Sequence, residues 1–234
     1  MSELESLIAQ VHEEAKREEF PIDRPVYKAA RLNPTTPILY GGNLGSQLCI
    51  FGRDLGKDEV RARQPLYGPA GRLVRQGLYR SICEEEPMPN IDLQFVCDYV
   101  LLSNTVPYKP PGNKAYSAAV KKRFRPFLEQ LLVQYWDGDL IITLGNEAFK
   151  WFIPYGEKGE LTEFFKRSDR YSASIKVTLE VTDEEVLKEE GLTEKVVTLM
   201  PLPHPSPLNQ KYYAQFPQLL AERLKDTSIT ELCS

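Results

Sequence analysis

The chain has 234 residues, 42% of them apolar and 26% charged, and carries a net charge of -4. That is enough apolar material for one substantial core and too much for a disordered chain, while the acidic balance excludes a protein that coats nucleic acid by charge alone. No apolar run approaches the ~20 residues of a membrane span and the acidic opening lacks a signal peptide's apolar stretch, so a cytoplasmic monomer that keeps clear of membranes is expected. Ser2 and Glu5 form a capping box ahead of Leu4, Leu7, Ile8, Val11 and Ala15 at helical spacing, which predicts an opening amphipathic helix. His12, beside that stripe, reads as a solvated helix residue. Residues 1–35 are read as a helical appendage of a single domain spanning 1–234. Four continuous apolar runs follow, "QLCIFG" near 47–52, "YVLLSNTV" near 99–106, "LIITLG" near 140–145 and "VVTLMPL" near 196–202. Helical patterns fall at about 70–82, 115–134, 145–153, 160–167 and 211–225. Continuous rather than alternating strands separated by helices predict an α/β fold, a central, mostly parallel four-stranded sheet with helices on both faces. "SIKVTLEV" and the acidic "TDEEVLKEEGLTEK" predict an extra strand and an exposed excursion near 170–195. Cys49, Cys83, Cys97 and Cys233 form no C-x-x-C pair, Cys49 and Cys97 read as small buried hydrophobes, and no metal site is expected.

In such a sheet the ligand crevice lies beyond the carboxyl ends of the strands. The loops there read "GRDLGKDEVRARQPLYGPAGR", "NTVPYKPPGNK", "GNEAF" and "HPSPLN", each rich in Gly, Pro, Asn or charge. Asp54, Asn104 and His204 then converge at one end of the sheet. The last loop, within "MPLPHPSPLN", surrounds His204, Ser206 and Asn209 with prolines of fixed φ, which present polar groups in one geometry. Charge is polarised along the chain. Residues 53–80 hold seven basic side chains against three acidic, and 107–125 hold six against none. A basic face around the loops suits a phosphate backbone.

These blocks, in order and at suitable distances from about residue 47 to 225, resemble the uracil-DNA glycosylase superfamily. The frame is most similar to the iron-sulfur members, whose second block ends in a cysteine before Arg-Pro-Pro-Gly-Asn and whose next helix carries a cysteine before Arg-Pro-Phe-Leu. Here Tyr108 and Phe124 occupy those places and the N-terminal cysteine pair is missing, so no cluster and no other cofactor is expected. "GRD", "LLSNTV" and "HPSPL" look closer to the cluster-free enzymes.

The resemblance implies a monofunctional glycosylase acting on DNA that contains uracil or a related deaminated base. Asp54 would stabilise the sugar cation and position water, and neutral His204 would donate to the departing base. Asn104 would read the edge of the flipped base, in a pocket shared with Gly52, Leu66 and Tyr67. Leu66 stands where the iron-sulfur relatives stack a phenylalanine. Ser206, Arg53, Lys109 and Lys114 would hold phosphates, and Leu208 would wedge into the stack. Two other readings stay open: a nucleic-acid binder that keeps the pocket without turnover, and a small-molecule nucleotide hydrolase or binder using "GPAGRL" at a helix N-terminus.

Overall fold

In the computed structural model, which describes residues 2–112, 114–183, 187, 191–225 and 227, six strands form one sheet. They are β1 (Tyr40–Gly42), β2 (Leu48–Gly52), β3 (Val100–Asn104), β4 (Leu140–Leu144), β5 (Ile175–Glu180) and β6 (Glu194–Leu202), in spatial order β1-β3-β2-β4-β6-β5. The four apolar runs are the central strands β3, β2, β4 and β6, all mutually parallel. The expected sheet of four is corrected to six, because antiparallel β1 and β5 cover the two edges. β1 is too short and glycine-rich to show a period in the sequence. β5, read as an extra strand, alternates buried and exposed side chains, as an antiparallel edge does.

Both faces of the central strands are dry, which is why these strands read as continuous runs. Cys49, Phe51, Leu101, Ile141 and Leu199 enter one core, whereas Leu48, Ile50, Leu102, Ile142 and Met200 enter the other, following the two-residue side-chain period. The second core is closed by α4 (Pro69–Cys83) and α9 (Phe216–Leu224) through Leu73, Val74, Leu78, Phe216 and Leu220. On the first face lie α1 (Glu3–Arg17), α5 (Ala118–Gln130), α6 (Asn146–Lys150) and α7 (Glu160–Lys166). Short helices α2 (Arg24–Ala29), α3 (Lys57–Ala62) and α8 (Gln210–Tyr213) complete the count among the described residues. Part of the acidic excursion, residues 184–186 and 188–190, and Cys233 lie outside the described residues. No helix of the described residues is long and apolar enough to cross a membrane.

The opening helix carries its expected capping box, Ser2 accepting from the Glu5 amide and Glu5 from that of Ser2. The N-terminal segment contributes Leu7, Val11, Ala15, Phe20, Ile22 and Tyr27 to the first core. His12 is not merely solvated, since its Nδ1 lies 2.5 Å from the Thr35 carbonyl. Phe20 packs against Tyr108, Tyr116 and Phe124 with ring centroids 5.3, 6.1 and 5.0 Å away. The Tyr108 hydroxyl donates back to the segment, with Thr35 O at 2.9 Å and Val11 O at 3.2 Å.

Lys109 is a second lock, and its placement corrects the expectation of a phosphate contact. Its side chain is 5% exposed, and Nζ donates to Asp23 Oδ2 (2.8 Å), Pro110 O (2.9 Å) and Gly112 O (2.8 Å). An ammonium has three donors, and all three are taken up inside the protein. Replacing Lys109 by methionine is expected to cost about 3 kcal/mol, because it leaves the largely buried Asp23 carboxylate unpaired. Thermal denaturation should show a Tm lower by roughly 6–12 °C for a chain of this size, with part of the loss recovered in the double variant Asp23→Asn/Lys109→Met. An unchanged Tm would mean that the pair is dispensable.

Candidate active site

Parallel register sets the carboxyl ends of the central strands level, with Gly52 opposite Asn104 and Leu144 opposite Leu202. The chain leaves β2 towards β3 on one side, while β4 connects onward to β6 on the other. The crevice such a reversal opens is where Arg53 and Asp54 emerge. Thr105 stitches the first two strand ends together. Its amide donates to the carbonyls of Gly52 (3.1 Å) and Arg53 (2.9 Å), and its hydroxyl donates to the Arg53 carbonyl and reaches Asp54 Oδ1 at 3.5 Å.

Asp54 is held with its side chain only 2% exposed. Burial raises its carboxyl above the ordinary value, and the charges of Arg53 and Lys121, with the Tyr116 backbone N–H, pull it partly back. Arg53 Nε lies 3.5 Å from Oδ2, an ion-pair distance rather than a hydrogen bond, and Oδ2 is buried with no hydrogen-bond partner among the described residues. Asn104, opposite Gly52 in the sheet, is 2% exposed and its Oδ1 also lacks a partner among the described residues. Leaving such atoms unpaired costs roughly 1–3 kcal/mol each, and more for a charge.

Gly52 lies between Asn104 and Leu66: a Cβ there would stand 3.3 Å from Asn104 Nδ2 and 3.4 Å from Leu66 Cδ2. Leu66 has φ +54, left-handed backbone that costs a non-glycine residue about 1–3 kcal/mol. Two contacts impose it. Arg75 clamps the carbonyls of Leu66 (3.0 Å) and Tyr67 (2.9 Å), and the Leu66 carbonyl sits so close over α4 that a Cβ on Gly71 would fall 1.5 Å from it. Tyr67, by contrast, is 44% exposed with the Arg75 guanidinium 5.2 Å from its ring centroid.

His204 enters from the far side. Pro203 and Pro205 are buried on either side of it, and its carbonyl accepts from the Ser206 amide (2.9 Å) and from Asn209 Nδ2 (3.2 Å). Gly145, at the end of β4, has φ +82, and a Cβ there would lie 2.8 Å from His204 Cβ, so only glycine admits the histidine. Burial, and then the positive charge of Arg53, lower the imidazole to about 4, so it is neutral near pH 7. At the tip of the loop Leu208 is 94% exposed, and Ser206 Oγ accepts weakly from its amide at 3.3 Å.

The structure thus brings together Gly52, Arg53, Asp54, Leu66, Asn104 and, across Gly145, His204. Thr105, Gly145, Arg75 and Tyr116 were not singled out from the sequence. Only Gly145 carried a signal there, as a glycine closing an apolar run. The expected basic face is smaller than its composition. Within 107–125, Lys109 is buried, Lys121 pairs with Glu147 at 2.6 Å, Arg123 with Glu14 at 2.7 Å, and Arg125 bonds the Tyr155 hydroxyl at 2.9 Å. Lys114 and Lys122 stay exposed, as do Lys57, Arg63 and Arg72 in the first loop region. The N-terminus of α4 is a poor phosphate site, because the Gly68 amide donates to the Glu59 carboxylate at 3.3 Å.

These residues do not fit an iron-sulfur cluster. Tyr108 and Phe124 are fully buried with ring centroids 5.2 Å apart, filling the space around Phe20 with carbon. Cys49 lies within β2, Cys97 in the turn before β3 and Cys83 at the end of α4. No cluster of three or more metal-ligating side chains occurs among the described residues.

Comparison with known proteins gives two findings. The chain is 26% identical over 132 residues to the type-4 uracil-DNA glycosylase of Thermotoga maritima, an alignment covering 56% of this chain and 62% of that relative. The model of the uracil DNA glycosylase superfamily matches residues 40–228, from β1 past the end of α9 and through every strand end described above. With most of its length matched, the chain belongs to the uracil DNA glycosylase superfamily.

Proposed function

We propose that the protein is a monofunctional DNA glycosylase, which hydrolyses the bond between deoxyribose and uracil or a related deaminated base. The observation that carries this reading is the pair of buried, unpartnered oxygens, Asp54 Oδ2 and Asn104 Oδ1, at the ends of neighbouring strands. Each such atom costs stability until a ligand or a water meets it, and a carboxylate oxygen costs the most. A flipped uracil offers its N3–H to Asn104 Oδ1 and its O4 to the same amide's N–H, while Leu66 lies along the base. Breaking the glycosidic bond puts positive charge on the sugar and negative charge on the base. The Asp54 carboxylate opposes the first and orients water, and the neutral His204 donates to the second. Leu208, on a loop stiffened by Pro203, Pro205 and Pro207, fills the gap left in the duplex, with Ser206 and Lys114 on the phosphates. A binder without turnover has no use for a desolvated carboxylate, which destabilises the fold and favours only a cation. The reaction belongs to DNA repair in the cytoplasm and needs only this chain, DNA and water.

Asp54→Asn should separate catalysis from stability. Excision, read as alkali-labile breaks in a uracil-bearing but not a thymine-bearing oligonucleotide, should fall by at least two orders of magnitude, roughly 3 kcal/mol. Asp54 is raised in the folded state, so its ionised form costs stability as pH rises through its folded value. The variant should therefore melt higher than wild type at pH 8, with the gap closing as pH falls. His204, lowered to about 4, acts oppositely and removes stability from both proteins below its ordinary 6.5. Unchanged turnover would remove Asp54 from the mechanism.

Gly145→Ala tests the placement of His204. The added methyl must displace the imidazole, so kcat should drop about tenfold or more with little change in KM, since misplacement by about an ångström carries losses of that order. Wild-type kcat would detach His204 from the chemistry. Leu208→Ala should lower activity on duplex uracil far more than on single-stranded uracil, because only the duplex requires a vacated stack to be filled. Equal losses on both substrates would make the leucine a packing residue.

A further inference from the structure

Beyond the Pro-rich loop the chain turns at once into α8, with the amides of Tyr212 and Tyr213 both donating to the Asn209 carbonyl at 3.0 Å. Tyr212 is thus fixed one helical turn beyond Leu208. Its ring meets Tyr171 edge to face, with centroids 5.6 Å apart and planes at 80°. The Arg170 guanidinium covers Tyr171 at 4.5 Å, and Lys211 Nζ lies 4.9 Å from the Tyr212 centroid. The result is a row of cation, ring, ring, cation. Both rings are partly exposed, and neither Arg170 nor Lys211 is ion-paired among the described residues.

The segment that carries Arg170 and Tyr171 is held firmly. Arg223 of α9 donates to the carbonyls of Ser172 (2.9 Å) and Ala173 (2.5 Å). The amides of Ser172 and Ala173 both close on Asp169 O at 2.9 Å, and Arg167 grips the Asp169 carboxylate through two nitrogens, at 2.8 and 2.6 Å. A turn tied down this way keeps Tyr171 at the surface, against Tyr212 of α8, instead of folding it inward. Because their order is imposed by the fold, a ligand that stacks there does not have to supply it.

We infer that Arg170, Tyr171, Lys211 and Tyr212 form a second binding site, for an unpaired stretch of the DNA strand that flanks the extruded nucleotide. Bases stack on the tyrosine faces and the two cations take the phosphates between them. Interleaved aromatic and cationic side chains are the chemistry of single-strand binding, tolerant of sequence because every base has a π face. Continuity with the Leu208 loop places the row beside the proposed wedge. The inference rests on the glycosylase reading for its biological setting, but the site binds DNA without uracil.

The test is a fluorescence-anisotropy titration of a uracil-free, dye-labelled oligothymidylate, alongside a duplex of equal length. Wild type should bind the single strand, Tyr212→Ala and Arg170→Ala should each weaken that binding about fivefold or more, and Tyr212→Phe should restore it because the ring is kept. Duplex affinity should change less than twofold. If excision proves absent while the tyrosine and arginine dependence holds, only the glycosylase reading fails. If uracil is excised and single-strand affinity is unmoved in both variants, the second site is refuted. It is refuted equally if Tyr212→Phe binds as poorly as Tyr212→Ala, or if an acidic peptide competes as well as the oligonucleotide.

Discussion

A carboxylate kept almost wholly out of water at the end of a central strand is the constraint around which this molecule is organised. Desolvation of Asp54 opposes folding, and the surrounding elements each return a share. Arg53 supplies charge at ion-pair distance, Thr105 brings a hydroxyl to one oxygen and closes the strand ends, and Tyr116 offers its backbone N–H. What they leave unpaired among the described residues is a single oxygen, and the neighbouring strand end carries another, that of Asn104. In the proposed reading that residual cost is repaid when a cationic sugar and its base arrive, which is how a strained ground state becomes selective for a transition state.

Tyr116 belongs to a loop whose position is set from the other end of the chain. Phe20 packs against Tyr108, Tyr116 and Phe124, while Asp23 and Tyr27 engage Lys109, so α1 and α2 brace the very loop that approaches Asp54. Where iron-sulfur relatives place thiolates, this chain places rings. Aromatic packing joins the same segments by dispersion and dehydration, and it requires no metal to fold.

On the opposite side of the crevice, rigidity has a different source. His204 is placed by two flanking prolines, by an Asn209 side chain on its own carbonyl, and by a glycine at 145 that leaves room for it. Arg75 and Gly71 do the same for Leu66, holding it in a backbone conformation it would not choose. Strain at Leu66, beside Gly52, and desolvation at Asp54 both mark the end of β2. The excursion after α7, together with α8, adds a surface of tyrosines and cations outside it.

The sequence by itself determined the layered α/β architecture, because strands buried on both faces must be largely apolar, and β2, β3, β4 and β6 show it in their runs. It also determined the loops that meet. Parallel strands aligned by their apolar runs carry Asp54, Asn104 and His204 to one end whatever the side-chain details. Only the tertiary structure decided which charges are available, since ion pairs are made across long sequence separations: Lys109 with Asp23 and Arg123 with Glu14 look identical to surface cations until the N-terminal segment folds over them. The edge strands, the left-handed Leu66 and the fit of Gly145 beneath His204 were likewise invisible. Each depends on a neighbour's approach within a few ångströms, and residue type and spacing along the chain carry no record of that distance.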